Sequence, residues 1–180
     1  MWTEELTKDC EADLSIDCLR TWWREIGLPR AMDKTGSFDC TSVNQVLKNK
    51  LYIGCEIASS KLNQTHPEIK AVVSLGSTKY RQHEGIVYHH ITIQDDESSD
   101  LLQHLDEAVD FIHSHEKVFV HCQAGISRSA SVCMAYLIKY HKMNVNQAYQ
   151  TVANVRPIIC PNPGFLKQLY FFYKSRVLKC

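Results

Sequence analysis

One cysteine and one arginine, with five residues between them, carry the chemistry of this sequence. They are Cys122 and Arg128 in the run His121-Cys122-Gln123-Ala124-Gly125-Ile126-Ser127-Arg128-Ser129. A thiolate is a strong nucleophile, and thiols beside a helix N-terminus or a cation are shifted toward that form. A guanidinium gives two parallel hydrogen bonds to the oxygens of an anion, which a lysine cannot reproduce. Gly125 supplies the backbone freedom of a tight turn. The N–H groups of Gln123, Ala124, Gly125, Ile126 and Ser127 then converge on one point, a nest for a tetrahedral anion. Ser129 is placed to hydrogen-bond the thiolate and help it depart. His121 is expected to orient the loop from behind rather than to act as a base, because a thiolate needs none.

Such a loop needs a strand before it and a helix after it. Val118-Phe119-Val120 reads as a buried strand, and a mostly apolar helix is expected from Arg128 to Tyr140. The loop then lies at the carboxyl end of a strand, where α/β sheets bind ligands. It also lies at a helix N-terminus, which attracts anions. Leu51-Tyr52-Ile53, Ala71 to Leu75 and Ile86 to Ile93 are further strand candidates. Leu101, Leu102, Leu105, Ala108, Val109 and Ile112 are expected on one helical face, with Ser99 or Asp100 as N-cap. Asn144 caps the next helix, with Gln147 at its third position, and Pro157 ends it. Asn162 caps the last helix with Pro163 at its first position; Phe165, Leu169, Phe172 and Tyr173 form its inner face. Strands alternating with helices predict an α/β fold, with a mostly parallel twisted sheet of about five strands flanked by helices. Residues 1–45 have a different texture. Leu6, Cys10, Leu14, Cys18, Trp22 and Ile26 predict a helix closed by Gly27-Leu28-Pro29, followed by a linker over 30–42. Trp22 and Trp23 read as core or docking surface.

The run HCQAGISRS resembles the H-C-x5-R-S signature of cysteine-dependent protein phosphatases, in the A-G-x-S-R-S form of the dual-specificity group. Leu51-Tyr52-Ile53-Gly54 resembles that family's opening strand. Arg156-Pro157-Ile158-Ile159-Cys160-Pro161-Asn162-Pro163-Gly164-Phe165, with Gln168-Leu169, resembles its ending. The resemblance covers residues 46–178. The loop is most similar to that of mitogen-activated-protein-kinase phosphatases, which carry a separate rhodanese-like kinase-docking domain. Forty-five residues are too few for one, so the chain looks like a small atypical member. The resemblance implies hydrolysis of phosphotyrosine and phosphoserine or phosphothreonine in proteins, through a phosphocysteine on Cys122. It implies phosphorylated protein substrates, MAP kinases among them, and a carboxylic acid five residues before the position matching Asp100. That selects Asp95 in the acidic loop Gln94-Asp95-Asp96-Glu97-Ser98-Ser99-Asp100, with Asp96 as the alternative. It also lets Asn162 brace the signature loop.

Composition narrows the rest. Lys and Arg number 20, as do Asp and Glu, so the formal net charge is zero. A zero balance lacks the basic footprint of a nucleic-acid or anionic-membrane binder. Lipid-specific relatives carry lysines inside the loop, whereas Gln123, Ala124 and Ile126 are neutral. A phosphoinositide, an RNA 5′-triphosphate or a phosphoglucan is therefore the second reading of the substrate. A pseudophosphatase that only binds phosphorylated partners is the third, and it usually lacks the cysteine or the arginine. The eight cysteines form no C-x-x-C pair, so no zinc ribbon is expected and no metal or cofactor is implied. Reduced thiols and an acidic N-terminus fit a cytoplasmic location, extending to the nucleus. Cys133 and Cys160 read as packing residues rather than redox partners of Cys122. His89 and His90 are expected on opposite faces of a strand rather than on a metal. Residues 76–84 are expected to shape a pocket wall, with Lys79 and Arg81 either meeting a second phosphate or solvated. Oligomeric state stays open.

Overall fold

The computed structural model describes residue 39, residues 41–78 and residues 80–177. The helix expected over Leu6 to Ile26, with Trp22 and Trp23, and most of the linker lie outside them. Five strands form one sheet: β1 (Asn44–Leu47), β2 (Leu51–Cys55), β3 (Ala71–Gly76), β4 (Val87–Thr92) and β5 (Val118–Cys122), in the order β1-β2-β5-β3-β4. β2, β5, β3 and β4 run parallel, and β1 is an antiparallel edge. The mostly parallel sheet expected from the alternation is therefore present. β1 was not expected; its four residues carry too weak an apolar signal beside a predicted linker.

β2, β3 and β5 are buried along their whole lengths, which is why they read as continuous apolar runs. β4 is the other edge and is only partly covered. There His89 stacks on Phe111 while His90 meets Ser74 Oγ at 2.9 Å, two different surroundings for adjacent residues.

Helices α1 (Glu56–Ser60) and α2 (Leu62–Thr65) follow β2 and were not foreseen; each is little more than a turn. α3 (Leu102–Ser114), α4 (Arg128–His141), α5 (Val145–Val155) and α6 (Pro163–Arg176) complete the chain. The larger core joins Ile53, Val73 and Val120 to α3 through α6. The smaller one, on the alternate strand positions, packs Tyr52, Val72 and Phe119 against Ala58 and Leu62. Residues Arg128 to Ile138 are all buried, so α4 is the central helix that its lack of a polar face predicted. The capping box of α5 is complete: Gln147 N–H donates to Asn144 Oδ1 at 2.9 Å, and Asn144 N–H donates to Gln147 Oε1 at 2.9 Å.

The start of α3 differs from expectation. Ser99 Oγ donates to Asp96 Oδ2 instead of capping the helix. Asp100 Oδ1 accepts from Gln103 N–H at 3.3 Å, but Leu102 N–H goes to Gln168 Oε1 of α6 at 2.7 Å. One free helical donor is thus satisfied from 66 residues away, and local sequence patterns do not register such a bond. No helix among the described residues is long and apolar enough to cross a membrane.

Candidate active site

Residues 123–127 join the central strand β5 to the buried helix α4, so they sit at the carboxyl edge of the sheet. Their five consecutive carbonyls are all engaged outside the loop. Gln123 O accepts from Glu56 N–H (3.2 Å), Ile126 O from Cys160 N–H (2.9 Å) and Ser127 O from Ser131 N–H (2.9 Å). Ala124 O and Gly125 O accept from the Arg156 guanidinium, at 3.2 and 2.7 Å. With the carbonyls drawn outward, the amide N–H groups are left to converge on the centre.

Gly125 is required in this turn. Its φ is +70°, and a Cβ there would stand 2.5 Å from Gly54 O and 2.6 Å from Arg156 Nη2. Its N–H donates to Cys122 Sγ at 3.2 Å. Ser129 Oγ lies 3.3 Å from the same sulfur. Cys122 is buried at the floor of the cradle, as the last residue of β5. Arg128, at the first position of α4, is buried along most of its length. Its Nη1 donates to Ile93 O at 3.2 Å, and its Nε stands 3.5 Å from Asp95 Oδ2.

His121 is fully buried behind the loop. Its Nε2 is 3.1 Å from Ser59 Oγ, its ring stacks on Phe119, and Tyr80 meets it edge-on at 4.8 Å. Burial lowers its pKa from 6.5 to about 4, so the imidazole is neutral and supplies no charge to the cradle.

The two candidate acids part company here. Asp95 is about one-third exposed and faces both Arg128 and Asn162, whose Nδ2 donates to Asp95 Oδ1 at 3.0 Å. Asp96 turns away. Its Oδ1 accepts from Ser98 N–H (2.9 Å), Ser98 Oγ (2.7 Å) and Ser99 N–H (2.8 Å). Bonds from the Ser98 and Ser99 hydroxyls, then from their backbone N–H groups, hold its carboxyl below the usual carboxylate range. Asp96 therefore shapes the loop, and Asp95 presents its carboxyl to the cradle.

Asn162 does more than start α6. Its Oδ1 caps Phe165 N–H at 2.9 Å, its Nδ2 holds the acidic loop, and its own N–H donates to Ser127 Oγ at 3.0 Å. It ties the acidic loop to the anion loop. In the sequence Arg156 stands out only as part of the ending motif. The structure shows it fully buried, reaching Asn44 Oδ1 at 2.7 Å as well as the two loop carbonyls. An arginine placed immediately before a helix-ending proline was the available signal.

The remaining candidates fall elsewhere. Arg81 is exposed, and Lys79 lies outside the described residues. Cys133 is fully buried, and burial pushes its thiol well up. Cys160 is exposed, so it is not the packing residue expected; the turn before α6 leaves it on the surface. The cysteine in register with Cys122 is Cys55, at the end of the neighbouring β2. Among the described residues, no group of three or more His, Cys, Asp or Glu could hold a metal ion.

Comparison with known proteins gives this arrangement a family. The profile described as "Dual specificity phosphatase, catalytic domain" matches residues 51–175, more than half of the chain. The chain belongs to the dual-specificity phosphatase family. Human dual specificity protein phosphatase 18 is 38% identical over 141 residues, covering 73% of this chain and 73% of that protein. Dual specificity protein phosphatase 1-B of Xenopus laevis is 37% identical over 134 residues. That match spans 71% of this chain but only 36% of the Xenopus protein, so the chain accounts for about a third of that relative's length. Among solved structures, DUSP15 superposes with a TM-score of 0.70 at 29% identity, over 74% of this chain and 89% of that one. Human DUSP28 gives 0.69 at 27%, over 74% and 93%. The five-stranded sheet and flanking helices are thus those of dual-specificity phosphatases.

Proposed function

We propose that this dual-specificity phosphatase family member hydrolyses phosphotyrosine and phosphoserine or phosphothreonine in proteins, by way of a phosphocysteine. The observation that carries the reading is the cradle itself: a nucleophilic sulfur at the floor, an arginine at the rim, and five carbonyls drawn away from the centre. In the first step Cys122 Sγ bonds to phosphorus as the bond to the leaving oxygen breaks. The loop N–H groups and Arg128 hold the equatorial oxygens, so catalysis is mostly positioning and electrostatics. Asp95 gives its proton to the leaving oxygen. In the second step Asp95 takes a proton from water, which displaces sulfur from phosphorus. Ser129 Oγ hydrogen-bonds the departing thiolate. His121 and Asn162 act as supports, one behind the cysteine and one between the two loops.

The neutral side chains Gln123, Ala124 and Ile126 favour a single phosphate on a protein over a polyphosphorylated lipid headgroup. MAP kinases are the candidate partners, on the loop's likeness to their phosphatases. Reduced thiols favour the cytoplasm, with the nucleus, as the location.

The test is turnover of an aryl phosphate and of a phosphotyrosine peptide with Cys122 reduced. Cys122→Ser is expected to abolish both while vanadate or sulfate still binds. An intact, reduced enzyme that releases no phosphate from either substrate would refute the reading.

A further inference from the structure

Next to the phosphate cradle lies a cleft of about 290 Å³, between the carboxyl ends of β3 and β4 and the start of α3. Ser77, Thr92, Gln94, Asp100, Gln103 and His104 line it, and Ile93 forms its inner wall. It is at the small end for a ligand site, large enough for one long side chain rather than a whole cofactor. Its inner wall is shared with the cradle: Ile93 O accepts from Arg128 Nη1, Gln94 faces the cleft, and Asp95 faces Arg128. Ile93 thus belongs to both sites, with Gln94 in the cleft and Asp95 at the cradle directly after it, so a substrate engaged in one lies beside the other.

Among the described residues Asp100 is the one carboxylate that lines the cleft, and His104 the one imidazole. Asp100 brings a carboxylate, and only one of its oxygens is used, by Gln103 N–H at 3.3 Å. Gln103 Nε2 donates to Asp100 O at 3.2 Å, which leaves the Gln103 Oε1 acceptor for an incoming donor. Ser77, Thr92 and Gln94 add hydroxyl and amide groups, whose oxygens can accept from an incoming cation as well as donate. Among the described residues no lysine or arginine lines it. A second phosphate or an acidic side chain would meet the Asp100 carboxylate there. A guanidinium or ammonium group would meet oxygen acceptors and a negative charge.

We propose that this cleft is a specificity subsite for a basic side chain, arginine or lysine, one or two residues from the phosphorylated residue of the substrate. Neighbours along an extended peptide stand roughly 3–7 Å apart at that separation, the reach between adjoining sites. The proposal rests on the phosphatase reading above. It makes the preferred substrate a phosphosite in a basic stretch, and not a doubly phosphorylated one.

The experiment uses the full chain and four phosphotyrosine peptides that differ only beside the phosphorylated residue: arginine, alanine, glutamate, and a second phosphorylated residue. The arginine peptide is expected to exceed the alanine peptide in kcat/KM by about two- to fivefold, as for a solvent-exposed ion pair. That advantage should shrink in high salt. Asp100→Asn, which keeps helix-capping ability, should bring the ratio toward one. Gln103→Glu, an acid in a first helical turn where the dipole tolerates it, should raise it. A wild-type ratio near one, a preference for the glutamate or doubly phosphorylated peptide, or a ratio unmoved by both variants would overturn the subsite while leaving the phosphatase reading intact. If none of the four peptides were hydrolysed, the phosphatase reading would fall, and the subsite with it.

Discussion

Replacing Arg156 with lysine tests the claim that the anion loop is shaped from behind. The guanidinium donates to Gly125 O (2.7 Å), Asn44 Oδ1 (2.7 Å), Ala124 O (3.2 Å) and Ser42 O (3.4 Å), and the residue is fully buried. A hydrogen bond from a charged donor is worth about 1.5–3 kcal/mol. Lysine keeps the charge but has one nitrogen where arginine has three, so it cannot span Asn44 and both loop carbonyls. Losing two such bonds, with buried acceptors left behind, predicts a stability loss of about 3–5 kcal/mol. Against a total of about 5–15 kcal/mol that is severe. Urea unfolding followed by circular dichroism measures it. The freed carbonyls of Ala124 and Gly125 would also turn toward the anion, so kcat/KM on an aryl phosphate should fall at least a hundredfold, although Arg156 is walled off from the substrate. An Arg156→Lys variant within 1 kcal/mol of wild type, with turnover within threefold, would refute the clamp.

Three further outcomes are expected. Asp95→Asn should lower kcat by about 10²–10⁴-fold on an alkyl phosphate, and by less on an aryl phosphate with a good leaving group; Asp96→Asn should keep most activity and lose some thermal stability. Gly125→Ala forces a side chain into a left-handed conformation costing about 1–3 kcal/mol, against backbone 2.5 Å away, so both stability and turnover should drop. His121 has a folded pKa of about 4, below its unfolded 6.5, so the unfolded chain binds more protons between those values. Its neutral form supports the fold fully above pH 6.5, and the contribution is lost as pH falls to 4, by about 3 kcal/mol. Unfolding free energies from pH 7 to 4 should show this slope in wild type, and a flatter one in His121→Asn.

What could be read from the sequence was what is local in the chain. The Cys122-to-Arg128 loop is one turn between two apolar elements, so its residue types and spacing announced its shape. The strands β2, β3 and β5 are buried on both faces and read as unbroken apolar runs. The remainder depends on contacts between distant residues. Arg156 acts through Gly125, 31 residues away, and Asn44, 112 away. The structure separates Asp95 from Asp96 by which carboxyl meets Asn162, 67 residues on from Asp95, and which folds back on Ser98 and Ser99. The edge strand β1 needed β2 beside it to exist at all. Periodicity carries no information about any of these pairings.

The outward-held carbonyls have a consequence for competition. Because the loop is already ordered by partners of its own chain, an anion that enters it need not pay the entropy of arranging it. Under the proposed function, what the loop recognises is a tetrahedron of oxygens with negative charge, and free inorganic phosphate presents those features as well as a phosphoprotein does. The product of each turnover is thus a ready ligand for the empty cradle. Discrimination must come from surfaces outside the loop, which engage the protein around the phosphate and which the free ion cannot reach.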